Sequence, residues 1–286
     1  MKKVLITGAN SYIGTSFEKY VKENNIDFEM DTLDLLDPTW EEFDFSEYDT
    51  IFHVAAIVHK NEKNINPDLY FSVNRDLPVK LANLAKTQGV KQFIFLSSMS
   101  VYGNQYKEIS FDTKEIPTTY YGKSKLEAEK LLEKLNSDSF KVVFLRPPMV
   151  YGPNATGNYS RLSKLAKITA IFPKIENQRS MIYIDNLLEF VRKTIELELE
   201  GLYFPQNSEY ICTSDLVRTI REVNGKNTIL LSIFNPLIRL FSKSGQINKL
   251  FGNLVYKKEM SIYNFDYQVI GYIDSIFLSE NRGWNI

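Results

Sequence analysis

A tyrosine and a lysine with helical spacing are the side chains in this chain best suited to move a proton. They lie in the stretch TTYYGKSKLEAEK, in which Tyr121 precedes Lys125 by four positions and Tyr120 precedes Ser124. On a helix, positions i and i+4 share one face, so only Tyr121 is paired with an ammonium group. A neighbouring cation favours the phenolate form of tyrosine. The pair therefore predicts acid–base chemistry, provided that a substrate proton can reach it.

A glycine turn near the N-terminus predicts a dinucleotide site. It stands between the apolar run at 4–6 and a helical pattern that starts near Tyr12. In this context Gly8 permits a tight turn, Gly14 lets the helix lie close to the sheet, and a pyrophosphate binds at the helix N-terminus. Glycines at strand–helix junctions also occur for steric reasons alone, and Ser11 replaces the usual middle glycine. The predicted cofactor contacts in this turn are Gly8, Asn10, Ser11, Tyr12, Ile13 and Gly14.

The residues around the second apolar run favour NAD over NADP. From Met30 to His59 the chain has no Lys or Arg but has eight acids. The 2′-phosphate of NADP needs a nearby cation, whereas an acid accepts hydrogen bonds from the ribose hydroxyls of NAD. We expect Asp31 to be the leading ribose ligand, with Asp34 and Leu35 as further cofactor contacts. Several of the other acids simply form a solvated face.

Alternating apolar runs and helical patterns predict the fold. The runs at 4–6, 28–30, 50–54, 93–96 and 142–145 are predicted strands, and helical patterns lie between several of them. Strands that alternate with helices and lack hairpin signals form parallel sheets. The predicted fold class is therefore α/β, a Rossmann-type doubly wound parallel sheet with a smaller C-terminal substrate domain. We expect a dinucleotide-binding domain over 1–152 and a mainly substrate-binding domain over 153–286. A helix near 181–199 is a candidate to return to the first domain.

Five motifs occur in a fixed order along the chain. They are Thr7-Gly8-x-x-Ser11-x-x-Gly14, His53-Val54-Ala55-Ala56, Ser97-Ser98-Met99-Ser100-Val101-Tyr102-Gly103, Tyr121-x-x-x-Lys125 and Arg146-Pro147-Pro148-x-Val150-Tyr151-Gly152-Pro153. Together they resemble the extended short-chain dehydrogenases/reductases, in particular the epimerase/dehydratase group that acts on nucleotide sugars. The resemblance extends to Arg282-Gly283-Trp284, near the C-terminus. It implies an NAD-dependent enzyme with a nucleotide-sugar substrate, and by analogy a cytoplasmic homodimer.

The resemblance also implies a role for each matching residue. Tyr121 would exchange a proton with a sugar hydroxyl, and Lys125 would hold the nicotinamide ribose and lower the pKa of Tyr121. Ser98, three residues before Val101, would hydrogen-bond the reacting oxygen. Tyr120 is then a packing residue or a pocket wall. Further cofactor contacts implied by the matching motifs are Ala55, Ala56 and Pro148.

Two residues of the second half are candidates for binding the substrate. Arg179 begins Arg-Ser-Met-Ile-Tyr-Ile-Asp-Asn, which resembles the family segment whose arginine binds the diphosphate of the nucleotide sugar. A guanidinium suits that bidentate task. Ser180 and Asn186 depart from the two aspartates of the family pattern. Asn158 lies where such enzymes place a sugar or phosphate ligand.

Members of the family catalyse several reactions, and the absence of a carboxylate beside Ser98 reduces the number that this chain is expected to catalyse. Family dehydratases carry an acid directly after the catalytic Ser or Thr, whereas Met99 and Ser100 follow Ser98 here. Hydride transfer at carbon 4 of the sugar remains. We expect an NAD-dependent 4-epimerase of the UDP-hexose type. The alternatives are an NAD(P)H-dependent 4-keto reductase of a nucleotide-linked deoxysugar and a non-catalytic dinucleotide-binding regulatory protein.

Composition excludes other classes of protein. The net charge of −1 argues against bulk binding to nucleic acid, and the single cysteine, Cys212, excludes an internal disulfide. His53 and His59 have no third ligand at a suitable spacing, so no metal site is predicted. No transmembrane segment is expected, because the longest suspicious run, Asn227 to Ile238, has only twelve uncharged residues. We interpret the amphipathic region that contains it as packing on a core or a second subunit, with a membrane-surface role as the less favoured alternative.

Overall fold

The computed structural model describes residues 1–58, 66–240 and 245–281. His59 and the Arg282-Gly283-Trp284 match lie outside the described residues. The chain forms two compact units. Unit 1 consists of Met1–Gly103, Lys114–Pro147 and Leu188–Pro205. Unit 2 consists of Asn104–Thr113, Pro148–Leu187 and Gln206–Ile286.

Unit 1 is built on a six-stranded sheet. Its strands are β1 (Lys2–Thr7), β2 (Phe28–Leu33), β3 (Thr50–His53), β4 (Gln92–Leu96), β6 (Lys141–Leu145) and β10 (Gly201–Tyr203). They lie in the order β10-β6-β4-β3-β1-β2, and every pair is parallel. Parallel strands need crossover connections, which place helices over the sheet. The predicted doubly wound α/β fold is confirmed.

The helices of unit 1 begin where the sequence provides caps. They are α1 (Tyr12–Glu23), α2 (Pro67–Phe71), α3 (Leu77–Thr87), α4 (Tyr120–Leu132) and most of α6 (Ile184–Glu196). Ser11 caps α1 and Thr119 caps α4, each accepting from the backbone N–H three residues later. A single π-helical turn, Ser72–Asp76, joins α2 to α3, and Pro78 stands in the first turn of α3. Such turns are frequent at functional sites.

A buried apolar cluster holds the helices against the sheet. It contains Leu5, Ile51, Phe93, Phe95 and Phe144 from the strands, with Leu81, Ala82, Ala85, Ala128 and Leu132 from α3 and α4. The strands contribute nearly continuous apolar runs because both faces of a parallel sheet are covered. This core fixes the strand ends from which the site residues project.

Two elements of the sequence prediction differ from the structure. The predicted helix from Met181 instead opens with a short strand, β9 (Met181–Tyr183), and α6 begins at Ile184. Strand β10 was not predicted. It has only three residues at the edge of the sheet, none of them fully buried, so it shows neither an apolar run nor clear alternation.

Unit 2 consists of short strands and helices. Its strands are β5 (Glu108–Ile109), β7 (Met149–Tyr151), β8 (Ile171–Pro173), β9, β11 (Ile229–Leu231) and β12 (Val255–Tyr256), which pair as β5–β12, β7–β9 and β8–β11. Its helices are α5 (Asn158–Ile168), α7 (Thr213–Val223), α8 (Asn235–Leu240), α9 (Gly245–Phe251) and α10 (Tyr272–Asn281). In the part of the chain that the structure describes, no helix combines the length and apolarity needed to cross a bilayer.

Candidate active site

The order of the strands locates a crevice at the carboxyl ends of β1 and β3. The chain winds from β1 to β2 on one side and from β3 to β4 on the other, and ligands of open α/β sheets bind at such a switch point. Gly8 follows β1 with a φ of +119°, and a Cβ there would lie 2.8 Å from the backbone nitrogen of Ala55. Only glycine fits this position. The turn therefore brings Gly8 against the loop that contains Ala55 and Ala56.

The start of α1 is suited to bind an anion. The Ser11 hydroxyl accepts from the Gly14 N–H at 3.2 Å, and a Cβ on Gly14 would lie 2.6 Å from that hydroxyl oxygen. Asn10, with a φ of 60°, completes the turn, and Tyr12 and Ile13 open the helix. The first turn of α1 carries no acidic residue, so no side chain of that turn opposes the binding of an anion at the positive end of the helix dipole. These residues fit the pyrophosphate of a dinucleotide.

The two acids predicted to bind the ribose occupy different positions along the chain at β2, one within the strand and one just after it. Asp31 pairs with Leu5 inside the strand, and its carboxylate accepts from the Tyr48 hydroxyl at 2.9 Å. Leu33 pairs with Thr7 at the end of the strand, so Asp34 is the acid next to the crevice. Asp34 accepts from the Leu36 N–H at 2.9 Å, and Leu35 lies between them. The register thus favours Asp34 over Asp31 as a ribose ligand, and both assignments stay predictions.

Asn74 holds the loop after β3 and was missed by the sequence analysis. It is fully buried in the π-helical turn. Its side chain accepts from the Ile57 N–H at 2.8 Å and donates to the Ile57 carbonyl at 3.1 Å and to the Ser124 hydroxyl at 3.2 Å. Its position in the sequence could have indicated this role, because Asn74 is a polar residue three positions before Leu77, in line with the buried face of α3.

Ser98 and Tyr121 meet beyond the carboxyl end of β4. Ser98 begins a 3₁₀ turn, Met99–Tyr102, and its hydroxyl oxygen accepts from the Ser100 N–H at 3.1 Å and the Ser100 hydroxyl at 3.0 Å. Tyr121 lies in the first turn of α4. Burial raises the pKa of Tyr121 to about 12, and its hydrogen bond with Ser98 opposes that rise. The two predicted catalytic hydroxyls are therefore in contact.

Lys125 is almost completely buried one turn further along α4. Its ammonium group donates to the Leu96 carbonyl at 2.8 Å and lies 4.3 Å from the centroid of the Phe95 ring. Burial lowers the pKa of Lys125 to about 7. The expected lowering of the Tyr121 pKa by Lys125 is not seen in this arrangement, because burial dominates both groups.

His53 is a neutral, buried residue at the end of β3. Its Nδ1 atom lies 2.8 Å from the Thr7 hydroxyl, and its ring stacks on the rings of Phe93 and Phe95. Burial holds the pKa of His53 well below its usual range, and the charge of Lys125 acts in the same direction. Among the described residues, no group of three or more His, Cys, Asp or Glu side chains could hold a metal ion.

Arg146 ties the Ser98 turn to α4. It is buried after β6 and donates to both carboxylate oxygens of Glu129, at 3.0 and 2.6 Å. It also donates to the Tyr102 hydroxyl at 2.7 Å and to Glu115 at 2.8 Å. Since Tyr102 ends the Ser98 turn and Glu129 is on α4, this cluster helps to fix Ser98 relative to Tyr121.

Unit 2 contains the remaining predicted residues. Pro148 is buried at the start of the unit, and Asn158 is exposed in the first turn of α5. Arg179 is half-buried and donates to the Gly252 carbonyl at 3.0 Å. Burial lowers the pKa of its guanidinium, and no carboxylate among the described residues forms an ion pair with it.

Ser180 and Asn186, which stand where the family pattern has two aspartates, form hydrogen bonds within unit 2. Ser180 donates to Gln206 at 2.5 Å and accepts from the Tyr256 N–H at 2.9 Å. Asn186 is buried and bonds both backbone groups of Ile270, at 3.0 and 2.9 Å. A cavity of about 400 Å³ has Gly252, the hydrogen-bond partner of Arg179, in its wall. Its other polar and aromatic walls include Lys174, Glu176, Asn235, Asn248 and Phe251.

The chain is similar to known proteins in sequence and in fold. The UDP-glucose 4-epimerase of Vibrio cholerae is 30% identical over 285 residues, which cover 88% of this chain and 86% of that protein. Two solved structures share the fold at 19% identity. They are a dTDP-4-dehydrorhamnose reductase from Clostridium acetobutylicum, with a TM-score of 0.76 and coverage of 97% of this chain and 98% of that one, and the UDP-glucuronic acid 4-epimerase from Bacillus cereus in complex with NAD, with a TM-score of 0.71 and coverage of 98% and 97%.

A family model covers nearly all of unit 1 and the part of unit 2 that precedes residue 201. The model described as NAD dependent epimerase/dehydratase family matches residues 4–201, well over half of the chain. This match confirms the family and the NAD dependence predicted from the five motifs. The chain therefore belongs to the NAD dependent epimerase/dehydratase family.

Proposed function

We propose that this protein is a nucleotide-sugar 4-epimerase that acts on a UDP-hexose. The observation that carries the proposal is the hydrogen bond between Ser98 and Tyr121 in the same unit as the glycine turn. The turn would hold the pyrophosphate of NAD, and Asp34 or Asp31 would hold its ribose. Bound NAD would accept a hydride from the sugar and return it.

The protein's own part in the reaction is to move a proton at the sugar oxygen. Tyr121 would take the proton from the hydroxyl on carbon 4 and give it back, while Ser98 would orient that oxygen. A phenol with a pKa near 12 is a poor base at neutral pH. Lys125 would hold the nicotinamide ribose, and the hydrogen bond from Ser98, which acts to lower the pKa of Tyr121, would favour the phenolate.

Hydride chemistry without elimination agrees with the residues around Ser98. Met99 is buried, and the Ser100 hydroxyl donates to Ser98, so neither supplies the carboxylate of a dehydratase. The similarity to the Vibrio cholerae epimerase extends over most of both chains and favours epimerisation. The 4-keto reductase is the second candidate, because it needs the same Ser98, Tyr121 and Lys125.

Arg179 supports a diphosphate-linked substrate. A half-buried guanidinium without a carboxylate partner among the described residues has donors left for an anion, beyond the one used on Gly252. We propose that Arg179 binds the diphosphate and that the cavity lined by Gly252 accepts part of the nucleotide. Asn158 is retained as a weaker candidate for a sugar or phosphate contact.

Cofactor stoichiometry distinguishes the two candidates. The purified protein is supplied with NAD and a panel of UDP-hexoses, and separately with NADH and a 4-keto-6-deoxy sugar nucleotide. We expect interconversion of carbon-4 epimers with catalytic NAD and no net change in NADH absorbance. Net oxidation of NADH with the keto sugar alone would establish the reductase instead. NAD binding without turnover in either assay would establish the non-catalytic alternative.

A further inference from the structure

Two stretches of unit 2 contain no acidic residue, although the chain as a whole has 35 acids and 34 Lys and Arg residues. The stretches are 148–175, with four cations, and 223–258, with six. Among the described residues, β8 of the first stretch pairs with β11 of the second, with Ile171 opposite Ile229. Within these two stretches, therefore, the sequence of an almost neutral chain carries only positive charges.

Large apolar side chains are exposed in the same region. Ile168 is 82% exposed, Ile233 78%, Leu240 74% and Ile229 56%. On α5, the side chains of Arg161, Lys164, Leu165 and Ile168 are all exposed, and their spacing places them on one side of the helix. An exposed helix face that mixes cations with Leu and Ile is unusual for a surface that meets only water.

Hydrogen bonds tie the end of α5 to the start of β11. The Ile229 N–H donates to the Ala170 carbonyl at 2.9 Å, and the Lys226 ammonium donates to the Lys167 carbonyl at 3.0 Å. We call this surface the α5–β11 face. Its exposed members are Arg161, Lys164, Leu165, Ile168, Ile171, Lys226, Ile229 and Ile233.

Few acids border the α5–β11 face. Glu280 is buried and pairs with Lys167 at 2.8 Å, so its charge is compensated. Glu222 lies on α7 and Glu176 follows β8, and both are exposed. The cations of the α5–β11 face thus outnumber the uncompensated acids near it.

We propose that the α5–β11 face binds the surface of an anionic phospholipid bilayer. Isoleucine and leucine side chains would enter the boundary between headgroups and acyl chains, while Lys and Arg would meet the phosphates. A second copy of this chain is disfavoured, because a two-fold interface would place the same cations against each other. The cations would also attract the phosphates of a nucleic acid, but a nucleic acid would leave the exposed isoleucines without an apolar partner.

Vesicle co-sedimentation of the full-length protein tests the proposal. The vesicles contain phosphatidylcholine alone or phosphatidylcholine with phosphatidylglycerol. We expect binding only to the anionic vesicles and release toward about 1 M salt, where charges are screened within about 3 Å. Reversal of two charges in Lys164→Glu/Lys226→Glu should weaken binding about 25-fold or more. Ile168→Ser/Ile233→Ser should weaken it by more than about tenfold.

A matched control and a soluble assay make the test decisive. Leu197→Ser/Lys134→Glu changes an exposed leucine and an exposed lysine of unit 1 and should bind like the unaltered protein. Turnover of soluble nucleotide sugar is measured in parallel, so a failure here is distinct from a failure of the proposed function. The proposal would be overturned by no binding to anionic vesicles, by an equal loss in the control variant, or by binding of a DNA duplex in place of vesicles. A dimer that Ile168→Ser/Ile233→Ser dissociates, without vesicle binding, would do the same.

Discussion

At the scale of single residues, burial shifts the pKa values of Tyr121 and Lys125, the two residues paired by their spacing, in opposite directions. It raises the pKa of the Tyr121 phenol to about 12 and lowers that of the Lys125 ammonium to about 7. Both shifts favour the neutral form, because a charge is poorly solvated in the interior. The spacing predicted which residues share a face of α4. It could not predict their charge states, which depend on Phe95 and Leu96 of another element.

The depressed pKa of Lys125 predicts a pH-dependent stability. Between about pH 7 and pH 10.5 the unfolded chain carries a proton on this lysine that the folded chain has lost, so stability rises with pH across that window. The contribution falls away as the pH drops to the folded pKa. The Lys125→Met variant has no titrating group at this position, so its stability lacks this pH dependence. Thermal unfolding should show this variant gaining most over the unaltered protein near pH 6 and least near about pH 9.5.

The difference in unfolding free energy between these pH values should be on the order of a few kcal/mol. Lys123→Met, an exposed change on the same helix, is the matched control and should show little pH dependence relative to the unaltered protein. A pH-independent difference for Lys125→Met would contradict the assigned pKa.

At the scale of elements, the central strands were predictable and the short ones were not. The runs at 93–96 and 142–145 are buried on both sides and so consist of continuous apolar residues. Strands β9 and β10 have three residues each, and β9 runs directly into α6. The helical period over 181–199 therefore did not reveal β9, because the partner of this strand, β7, is some thirty residues earlier in the chain. Tertiary pairing decided the structure of that stretch.

The buried Arg146 cluster is the contact between elements on which the site most depends. Arg146→Met would leave Glu129 buried without its bidentate partner, and the unfolding free energy should fall by about 3–5 kcal/mol. Replacing both residues, Arg146→Met with Glu129→Met, should recover much of that loss. Urea unfolding followed by circular dichroism measures both.

Arg75 provides the control for the Arg146 variants. It also bridges two acids, Asp76 and Glu127, but all three side chains are substantially exposed. Arg75→Met should therefore lower the unfolding free energy by less than about 1 kcal/mol. Equal losses for Arg75→Met and Arg146→Met would show that the buried cluster does not stabilise the Ser98 turn as described.

At the scale of the whole molecule, the family followed from the order of the motifs along the chain. The positions of Asn74 and Arg179 could not be derived in that way, because Asn74 acts through Ile57 and Ser124, and Arg179 acts through Gly252. These contacts join segments that are far apart in sequence. The homodimer implied by the family resemblance stays a proposal, and sedimentation velocity over a range of protein concentrations tests it.

Turnover of the Tyr121→Phe variant tests the central claim most directly. Steady-state conversion of the UDP-hexose that the protein accepts is compared for the unaltered protein and the variant, and NAD affinity is measured by titration for both. We predict that turnover falls by about two to four orders of magnitude while NAD affinity is nearly unchanged, because the phenol moves the proton but does not hold the pyrophosphate. Unchanged turnover, or an equal loss of NAD affinity, would contradict the account.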